Sequence, residues 1–312
     1  MKIVLAGGSG QVGQILRRAF GRDSHDIVLL TRSQDQVPGV RSVYWDGASI
    51  GSWADALEGA DVLINLSGRS VNCRYNPANR REIIDSRENS TRALGEAAAR
   101  VTNPPKVWLQ SSTATIYAHT YGAPNDEFTG VIGGNEPGVP ETWRFSIEVA
   151  TAWEKAFDDL HLPATRKVKL RSAMVMSPDK GGVFDTLLTL VKRGLGGKAG
   201  DGKQYVSWIH ERDFVRSLIW ILERPELDGA INICSPNPLP NAEFMRELRH
   251  AARIAFGLPA SKWMLEIGAI FMRTETELIL KSRRVVPTRL LQSGFAFQFP
   301  EWSTAIKDLC LP

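Results

Sequence analysis

The sequence predicts an α/β fold in which a doubly wound parallel sheet is followed by a smaller, mostly helical C-terminal lobe. Three observations predict it: short continuous apolar runs, helical segments between them, and a change of pattern near residue 172. Strands of a parallel sheet are buried on both faces, so their apolar residues follow one another instead of alternating. Strands that alternate with helices form such a sheet through right-handed crossovers.

Six segments have the pattern of buried strands, and helical segments lie between them. The predicted strands are 2–6, 26–31, 42–45, 61–66, 106–110 and 168–171. Apolar residues recur at helical spacing from Ile15, and the other predicted helices are 85–100, 147–160 and 214–222. We therefore predict a first domain over 1–171, to which the chain can later return, and a lobe over 172–312. In that lobe glycine and proline break the chain into loops and short helices.

A glycine-rich turn joins the first strand to the first helix. Gly7, Gly10 and Gly13 are spaced three apart, and glycine permits both a tight turn and close approach of the backbone to a pyrophosphate. The N-terminus of the next helix adds unpaired N–H donors and a positive dipole end. The turn predicts a Rossmann-type dinucleotide site, although a glycine-tolerant turn without a ligand is the alternative. Its predicted binding residues are Gly7, Ser9, Gly10, Gln11, Val12 and Gly13.

The end of the second strand indicates which dinucleotide binds. Domains that bind NAD(H) usually have an acidic residue there for the ribose 2′-hydroxyl. This chain has Arg32 and Ser33, which can bind a 2′-phosphate through charge-assisted hydrogen bonds. We therefore predict NADP(H) as the cofactor. In the alternative interpretation Arg32 is a solvated loop residue, and Asp35 follows slightly further along the chain.

Three further strand ends are expected to meet the cofactor, because the carboxyl ends of parallel strands share one edge of the sheet. An aspartate ends the third strand and can accept a hydrogen bond from the adenine amino group. Small residues end the fourth, and a hydroxyl-rich run ends the fifth, beside the expected nicotinamide. That run is alternatively a simple turn. The predicted cofactor-binding residues at these ends are Asp46, Leu66, Ser67, Gly68 and Ser111.

Composition excludes several classes of function. The net charge of +4 comes from scattered Lys and Arg without aromatic–basic platforms, so we expect no nucleic acid partner. Three cysteines form no close pair, and the five histidines form no H-E-x-x-H motif, so we expect neither disulfides nor a metal. No run is long and apolar enough to span a bilayer. We expect a cytoplasmic monomer or homodimer that acts on a small molecule.

Further motifs connect the chain to a family. They are 65–68, 85–91, 153–154, 181–182, 200–204, 208–210, 241–244 and Pro287 with Gly294 and Phe295. Together with the glycine turn they resemble the extended short-chain dehydrogenase/reductase superfamily, in particular its atypical "epimerase family" proteins with an uncharacterised C-terminal domain. The resemblance spans nearly the whole chain. It implies a cytosolic NADP(H)-binding protein with an unassigned substrate and a family-specific region from about residue 241.

The superfamily catalyses with a Ser or Thr and a Y-x-x-x-K pair on one helix. The resemblance maps the hydroxyl onto Thr113, but the tyrosine and lysine positions fall on Ser146 and Ala150. We therefore consider Tyr117 as a substitute acid or base, with Thr113 orienting the substrate oxygen. In the alternative interpretation Tyr117 only shapes the cleft, because an unperturbed tyrosine pKa lies near 10.

Three polar residues are further candidates for the substrate side of the site: Arg87, Glu148 and His210. His210 has a suitable intrinsic pKa, although it can equally join a strand to a helix through a structural hydrogen bond. Two functional hypotheses follow. The first is an NADP(H)-dependent oxidoreductase or epimerase for a small polar substrate, over which the segment 194–213 closes. The second is a non-catalytic NADP(H) sensor, which the missing Tyr-Lys pair suggests.

Overall fold

The computed structural model describes residues 1–22, 25–33, 37, 39–261, 264 and 275–311. A seven-stranded sheet forms its centre. Its strands are β1 (Lys2–Ala6), β2 (Asp26–Thr31), β3 (Arg41–Tyr44), β4 (Val62–Asn65), β5 (Val107–Thr113), β6 (Arg166–Ser172) and β10 (Gly229–Ile233). They lie in the order β10-β6-β5-β4-β1-β2-β3, and all pairings within the sheet are parallel. Two small sheets pair β7 (Met174–Met176) with β9 (Trp208–His210), and β8 (Tyr205–Val206) with β11 (Leu239–Pro240).

Helices connect and cover these strands. They are α1 (Gln11–Arg22), α2 (Pro77–Arg100), α3 (Glu141–Asp158), α4 (Val183–Lys192), α5 (Glu211–Leu222), α6 (Asn241–Ala251), α7 (Glu277–Leu280), α8 (Thr288–Gln292) and α9 (Trp302–Leu309). Two 3₁₀ turns cover Ser52–Leu57 and Ala114–Ile116. Helix α2 begins earlier than predicted because Pro77 occupies its first turn and the side chain of Asn76 caps it.

The strand order reverses between β1 and β4. Strand β1 pairs with β2 on one side and with β4 on the other, so Val4 lies opposite both Val28 and Leu63. All six predicted strands are present, with ends that differ by a few residues. In a sheet of this kind ligands bind outside the carboxyl ends at the reversal. The fold therefore places the turn after β1 beside the turn after β4.

The seventh strand comes from the second half of the chain. Strand β10 pairs with β6, with Ile231 opposite Leu170. The sequence analysis allowed such a return of the chain but identified no strand there. The run is short, and it lies within the segment 225–240, which four prolines interrupt, so local pattern alone does not distinguish it from a loop.

Two buried apolar layers fix the sheet between its helices. On one face Leu16 and Phe20 of α1 and Phe214 of α5 are buried against the strands. On the other face Leu94 of α2 and Trp108 of β5 belong to a second cluster. Fully burying one such side chain contributes about 1.5–3 kcal/mol. These layers hold the carboxyl ends of the strands at fixed positions.

The lobe has an aromatic core of its own. Trp302 of α9 stacks on Phe244 of α6 with 4.1 Å between ring centroids, and its indole N–H donates to the Phe244 carbonyl. The segment after residue 275 then packs against the loop that follows β5, where Lys281 Nζ donates to the Thr115 carbonyl at 2.7 Å. Among the residues that the structure describes, no helix has the length and apolar character needed to cross a bilayer.

Candidate functional site

The three glycines of the first turn have three different roles. Gly7 has a φ of 73°, and a Cβ there would lie 2.7 Å from Ser67 Cα. A Cβ at Gly13 would overlap the carbonyl of Gly8, so Gly13 lets α1 approach the turn. Gly10 differs, because apart from Gly10 itself and its two chain neighbours no described residue has an atom within 4 Å of the position of its Cβ. Gly7 and Gly13 therefore serve the fold, whereas Gly10 is exposed and its Cβ position is open.

Two buried polar groups beside this turn have no hydrogen-bond partner within the described residues. They are the amide nitrogen of Gln11 and the hydroxyl of Ser67. Ser67 is held in place because its backbone N–H donates to Asn65 Oδ1 at 2.9 Å, while Asn65 Nδ2 donates to Gln110 Oε1 at 3.1 Å. Buried polar groups normally have partners. Both groups lie at the strand reversal without a protein partner among the described residues, and donors of this kind fit a dinucleotide.

A cavity of about 310 Å³ extends from this turn across the ends of β5 and β6. It brings together four residues predicted to bind cofactor: Gln11, Val12, Leu66 and Ser111. The sequence analysis did not identify the rest of the lining, which is Ser112, Leu170, Ser172, Ala173, Met174, Val175, Val183 and Phe214. Most of these are ordinary core residue types, so only the tertiary fold shows that they line a cavity.

The adenine side of the site lies beyond β2. Arg32 is exposed, and it makes no ion pair or hydrogen bond within the described part of the chain. The backbone N–H of Ser33 donates to Thr31 Oγ1 at 3.1 Å, which shapes the turn behind it. Asp35 lies outside the described residues. The arrangement leaves the Arg32 guanidinium available to a phosphate.

Asp46, predicted to meet the adenine, forms its own turn. It accepts a hydrogen bond from the Ser49 hydroxyl, and its Oδ1 accepts from the backbone N–H groups of Ala48 and Ser49 at 2.9 Å each. These bonds hold the pKa of Asp46 below its usual value, and the bond from the Ser49 side chain has the largest effect. Asp46 is exposed and ionised. Because both of its carboxylate oxygens already accept hydrogen bonds from the turn, an adenine amino group would share one of these oxygens with the turn.

Thr113 ends β5 and caps the 3₁₀ turn that follows. Its Oγ1 accepts a hydrogen bond from the Thr115 N–H at 3.1 Å, and its register partner across the sheet is Ser172 of β6. That bond uses a lone pair of the hydroxyl and leaves its proton free of this contact. Thr113 is not among the residues that line the cavity, although its register partner Ser172 is.

Tyr117 is not placed for proton transfer, and the hypothesis that it is an acid or base is not supported. It is 2% exposed, its hydroxyl donates to Asn232 Oδ1 at 2.9 Å, and Arg171 Nη1 donates to it at 2.9 Å. Burial raises its pKa, against the opposing effect of Arg171. Tyr117 is therefore a neutral structural residue that joins β6 to β10.

Tyr117 belongs to a network of buried groups that the sequence analysis did not identify. Glu154 of α3 accepts two hydrogen bonds from Arg171, each of 2.8 Å, and one from Ser112 at 2.6 Å. Burial raises the pKa of Glu154, but the bonds from Arg171 and Ser112 outweigh it and keep this pKa below its usual value. Ser112 lines the cavity, so the network fixes one of its walls.

The positions of the usual Tyr-Lys pair have other roles here. Ser146 Oγ donates to the Thr142 carbonyl at 3.3 Å and lies 3.2 Å from Glu277 Oε2 of α7. Ala150 is fully buried in a small apolar cluster. Neither residue can transfer a proton as a tyrosine does, so the structure agrees with the departure that the sequence predicts.

Two of the three further candidates lie away from the cavity. Glu148 is exposed on the outer face of α3, which does not support a role in the site. His210 is 1% exposed; its Nδ1 accepts from the Arg212 N–H at 3.1 Å, and its Nε2 lies 3.2 Å from Asp308 Oδ2. Burial lowers its pKa to about 4. His210 therefore joins a strand to a helix, as in the structural interpretation.

Arg87 lies against Gly68, in the turn after β4, although it does not line the cavity. Its Cζ would be 3.1 Å from a Cβ at Gly68, and it lies 5.0 Å from the ring centroid of Trp153. Its Nη1 donates to the carbonyls of Arg69 and Ile83 at 3.0 and 2.9 Å. Burial lowers the pKa of Arg87 to about 10. It is thus a cation held against the end of β4.

Comparison with protein families gives two matches along the chain. The model described as "NAD dependent epimerase/dehydratase family" matches residues 3–234, and a "domain of unknown function" matches residues 260–309. The human protein named "Epimerase family protein SDR39U1" is 30% identical over 316 residues, which cover 99% of each chain. These findings confirm the resemblance to epimerase family proteins with an uncharacterised C-terminal domain.

Comparison with solved structures leads to the same family. The crystal structure of human SDR39U1 (isoform 2) with NADPH has a TM-score of 0.85 and 28% identity, and it covers 99% of each chain. NADPH is the cofactor form predicted here from Arg32. A nucleoside-diphosphate sugar epimerase from Corynebacterium glutamicum has a TM-score of 0.74 and 27% identity, with 98% of this chain and 57% of that chain covered. The predicted fold class is confirmed.

Proposed function

This chain belongs to the NAD-dependent epimerase/dehydratase family, and we propose that it is an NADP(H)-binding oxidoreductase or epimerase for a small polar substrate. The observation that carries the proposal is the glycine turn at the strand reversal, together with two buried polar groups that have no partner among the described residues, Gln11 Nε2 and Ser67 Oγ. A turn that served the fold alone would need neither. The human relative crystallised with NADPH supports the same cofactor.

The preference for NADP(H) rests on Arg32. A guanidinium without a partner among the described residues, at the end of β2, suits the 2′-phosphate that distinguishes NADP(H) from NAD(H). Hydrogen bonds to charged groups contribute about 1.5–3 kcal/mol, which corresponds to roughly tenfold to a hundredfold in affinity. We therefore expect Arg32 to determine cofactor choice.

The residues around the cavity position the substrate beside the cofactor. When bound, NADPH supplies a hydride for transfer to a carbonyl carbon. Thr113, which follows the lining residues Ser111 and Ser112 on β5, donates its hydroxyl proton to the substrate oxygen. The network of Glu154, Arg171 and Ser112 keeps that wall rigid. The relative from Corynebacterium glutamicum is named a nucleoside-diphosphate sugar epimerase, which supports a polyhydroxylated substrate.

An assay of NADPH oxidation and NADP⁺ reduction with a panel of carbonyl and hydroxyl metabolites tests catalysis. We expect turnover with at least one polar compound, a loss of about 10²-fold or more in Thr113→Ala, and recovery in Thr113→Ser, since a polarising donor contributes about 10²–10³-fold. Glu148→Gln, an exposed change on α3, is the control. No turnover with any compound would refute the enzymatic proposal.

A second candidate function is a non-catalytic NADP(H) sensor. The observation that favours it is the use of Ser146 and Ala150 for packing and for contact with Glu277, which leaves α3 without a proton-transfer group at those positions. A sensor requires different affinities for NADPH and NADP⁺ and a partner whose binding follows that ratio. Equal affinities, or a partner bound regardless of cofactor, would exclude this candidate.

A further inference from the structure

Arg87 differs from the other half-buried arginines of this region, because no carboxylate in the described chain pairs with it. Arg171 pairs with Glu154 at 2.8 Å, and Arg283 pairs with Glu277 at 2.6 Å. Buried charges are normally paired, because a charge without a partner in a low dielectric is unfavourable. The charge of Arg87 is therefore not explained by an internal ion pair.

Backbone carbonyls do not satisfy Arg87 fully either. Arg166 also lacks an acid, but its two terminal nitrogens donate to four carbonyls. In Arg87 only Nη1 donates, to the carbonyls of Arg69 and Ile83, while Nε and Nη2 donate to no residue that the structure describes. The guanidinium is thus held in place by one nitrogen and presents two others.

A second donor without a partner lies beside it. Trp153 is 6% exposed, Arg87 lies over its ring, and its buried indole N–H has no hydrogen-bond partner within the described residues. The hydroxyl of Tyr75 is close enough to interact electrostatically with Arg87, and burial raises its pKa to about 12, so this phenol is neutral. Unsatisfied donors without an acceptor predict a ligand that offers oxygen lone pairs.

We propose that Arg87 and Trp153 form a subsite for an anionic oxygen group, a carboxylate or phosphate, carried by the substrate. A guanidinium binds such groups through two parallel N–H···O bonds. The subsite lies against Gly68, the residue after Ser67, so the group it binds is anchored beside the cofactor crevice. Its place beside a cofactor rests on the proposed function. The substrate class narrows to small polar compounds that carry a carboxylate or phosphate besides the reacting carbonyl or hydroxyl.

Inorganic phosphate is a suitable probe, titrated into protein saturated with NADP⁺ and followed by thermal shift against chloride at equal ionic strength. We expect saturable stabilisation in the wild type and at least a tenfold weaker apparent affinity in Arg87→Gln. That variant keeps an amide donor for the carbonyls. Arg87→Lys, which restores the charge but not the two parallel N–H donors, should recover only part of the affinity. Arg92→Gln is the control, because Arg92 is on the same helix, exposed and paired with Glu88.

Phosphate affinity that is unchanged in Arg87→Gln, or equally weak in Arg87→Gln and Arg87→Lys, overturns the inference. If phosphate stabilises only the protein without NADP⁺, it occupies the phosphate positions of the cofactor, and the inference is again wrong. Affinity for NADP⁺ is measured in every variant and should not change with Arg87. A wild type that binds no NADP⁺ refutes the proposed function instead, so the two failures are distinguishable.

Discussion

The substitution Gly10→Ala separates ligand binding from folding. Because no described residue beyond the two chain neighbours has an atom within 4 Å of the new methyl group, we expect the free energy of unfolding to change by less than about 1 kcal/mol. The same methyl group would stand where a pyrophosphate approaches the turn. Overpacking of this kind is unfavourable by about 1–3 kcal/mol, so the Kd for NADPH should rise by roughly fivefold to a hundredfold.

Isothermal titration with NADPH and urea unfolding of the same samples measure the two effects. Gly13→Ala is the matched comparison, since its methyl group would overlap the Gly8 carbonyl and should destabilise the fold by about 1–3 kcal/mol. An unchanged Kd in Gly10→Ala would refute the assignment of the open space to a ligand. Unfolding of Gly10→Ala like that of Gly13→Ala would refute the different roles of the glycines.

Two further substitutions test the placement of residues that the sequence presented as catalytic candidates. Tyr117→Phe removes a hydroxyl between Arg171 and Asn232, so we expect about 1–3 kcal/mol less stability in urea unfolding with NADPH affinity unchanged; equal stability would contradict the network. The pKa of His210 is lowered to about 4 in the folded protein, so the unfolded chain binds more protons between about pH 6.5 and 4 and stability falls as the pH falls through that window. Across that window the folded protein loses about 3 kcal/mol of stability because of His210. His210→Gln should therefore flatten that part of the stability profile. An identical pH dependence in both proteins would show that His210 does not titrate there.

Six of the seven strands of the sheet could be predicted because the local sequence pattern identifies each of them. Continuous apolar runs such as 2–6 and 26–31 have few other stable positions than the centre of a covered parallel sheet. The turn at Gly7 could be predicted for the same reason, since strand, glycines and helix are contiguous. Strand β10 could not, because its short run lies in a segment that several prolines interrupt and does not differ locally from a loop.

The limits of the site prediction have another physical origin. Tyr117 follows a motif typical of catalytic strand ends, but its partners Arg171 and Asn232 lie 54 and 115 residues further along the chain. Only the fold shows that they occupy its hydroxyl. Glu148 was predictable as an outward residue, because the buried residues Phe145, Val149 and Ala150 already define the inner face of α3.

Arg87 is the opposite case. The sequence indicated Arg87 as a polar candidate but gave it no role. The fold brings α2, α3 and the turn at Gly68 together. Only there is it visible that one nitrogen of Arg87 is held by carbonyls and that no carboxylate of the described chain pairs with it. Local pattern thus predicted the cofactor side of the crevice, whereas the substrate side depends on contacts between distant elements.

We propose that this chain binds NADP(H) at the first glycine turn and selects it through Arg32. Dissociation constants for NADPH and NADH, measured on the wild type and on Arg32→Ala, test it most directly. We predict NADPH binding that is at least about tenfold tighter than NADH binding in the wild type, and nearly equal binding of both in Arg32→Ala. Equal affinities in the wild type would contradict the role of Arg32, and no binding of either would contradict the site itself.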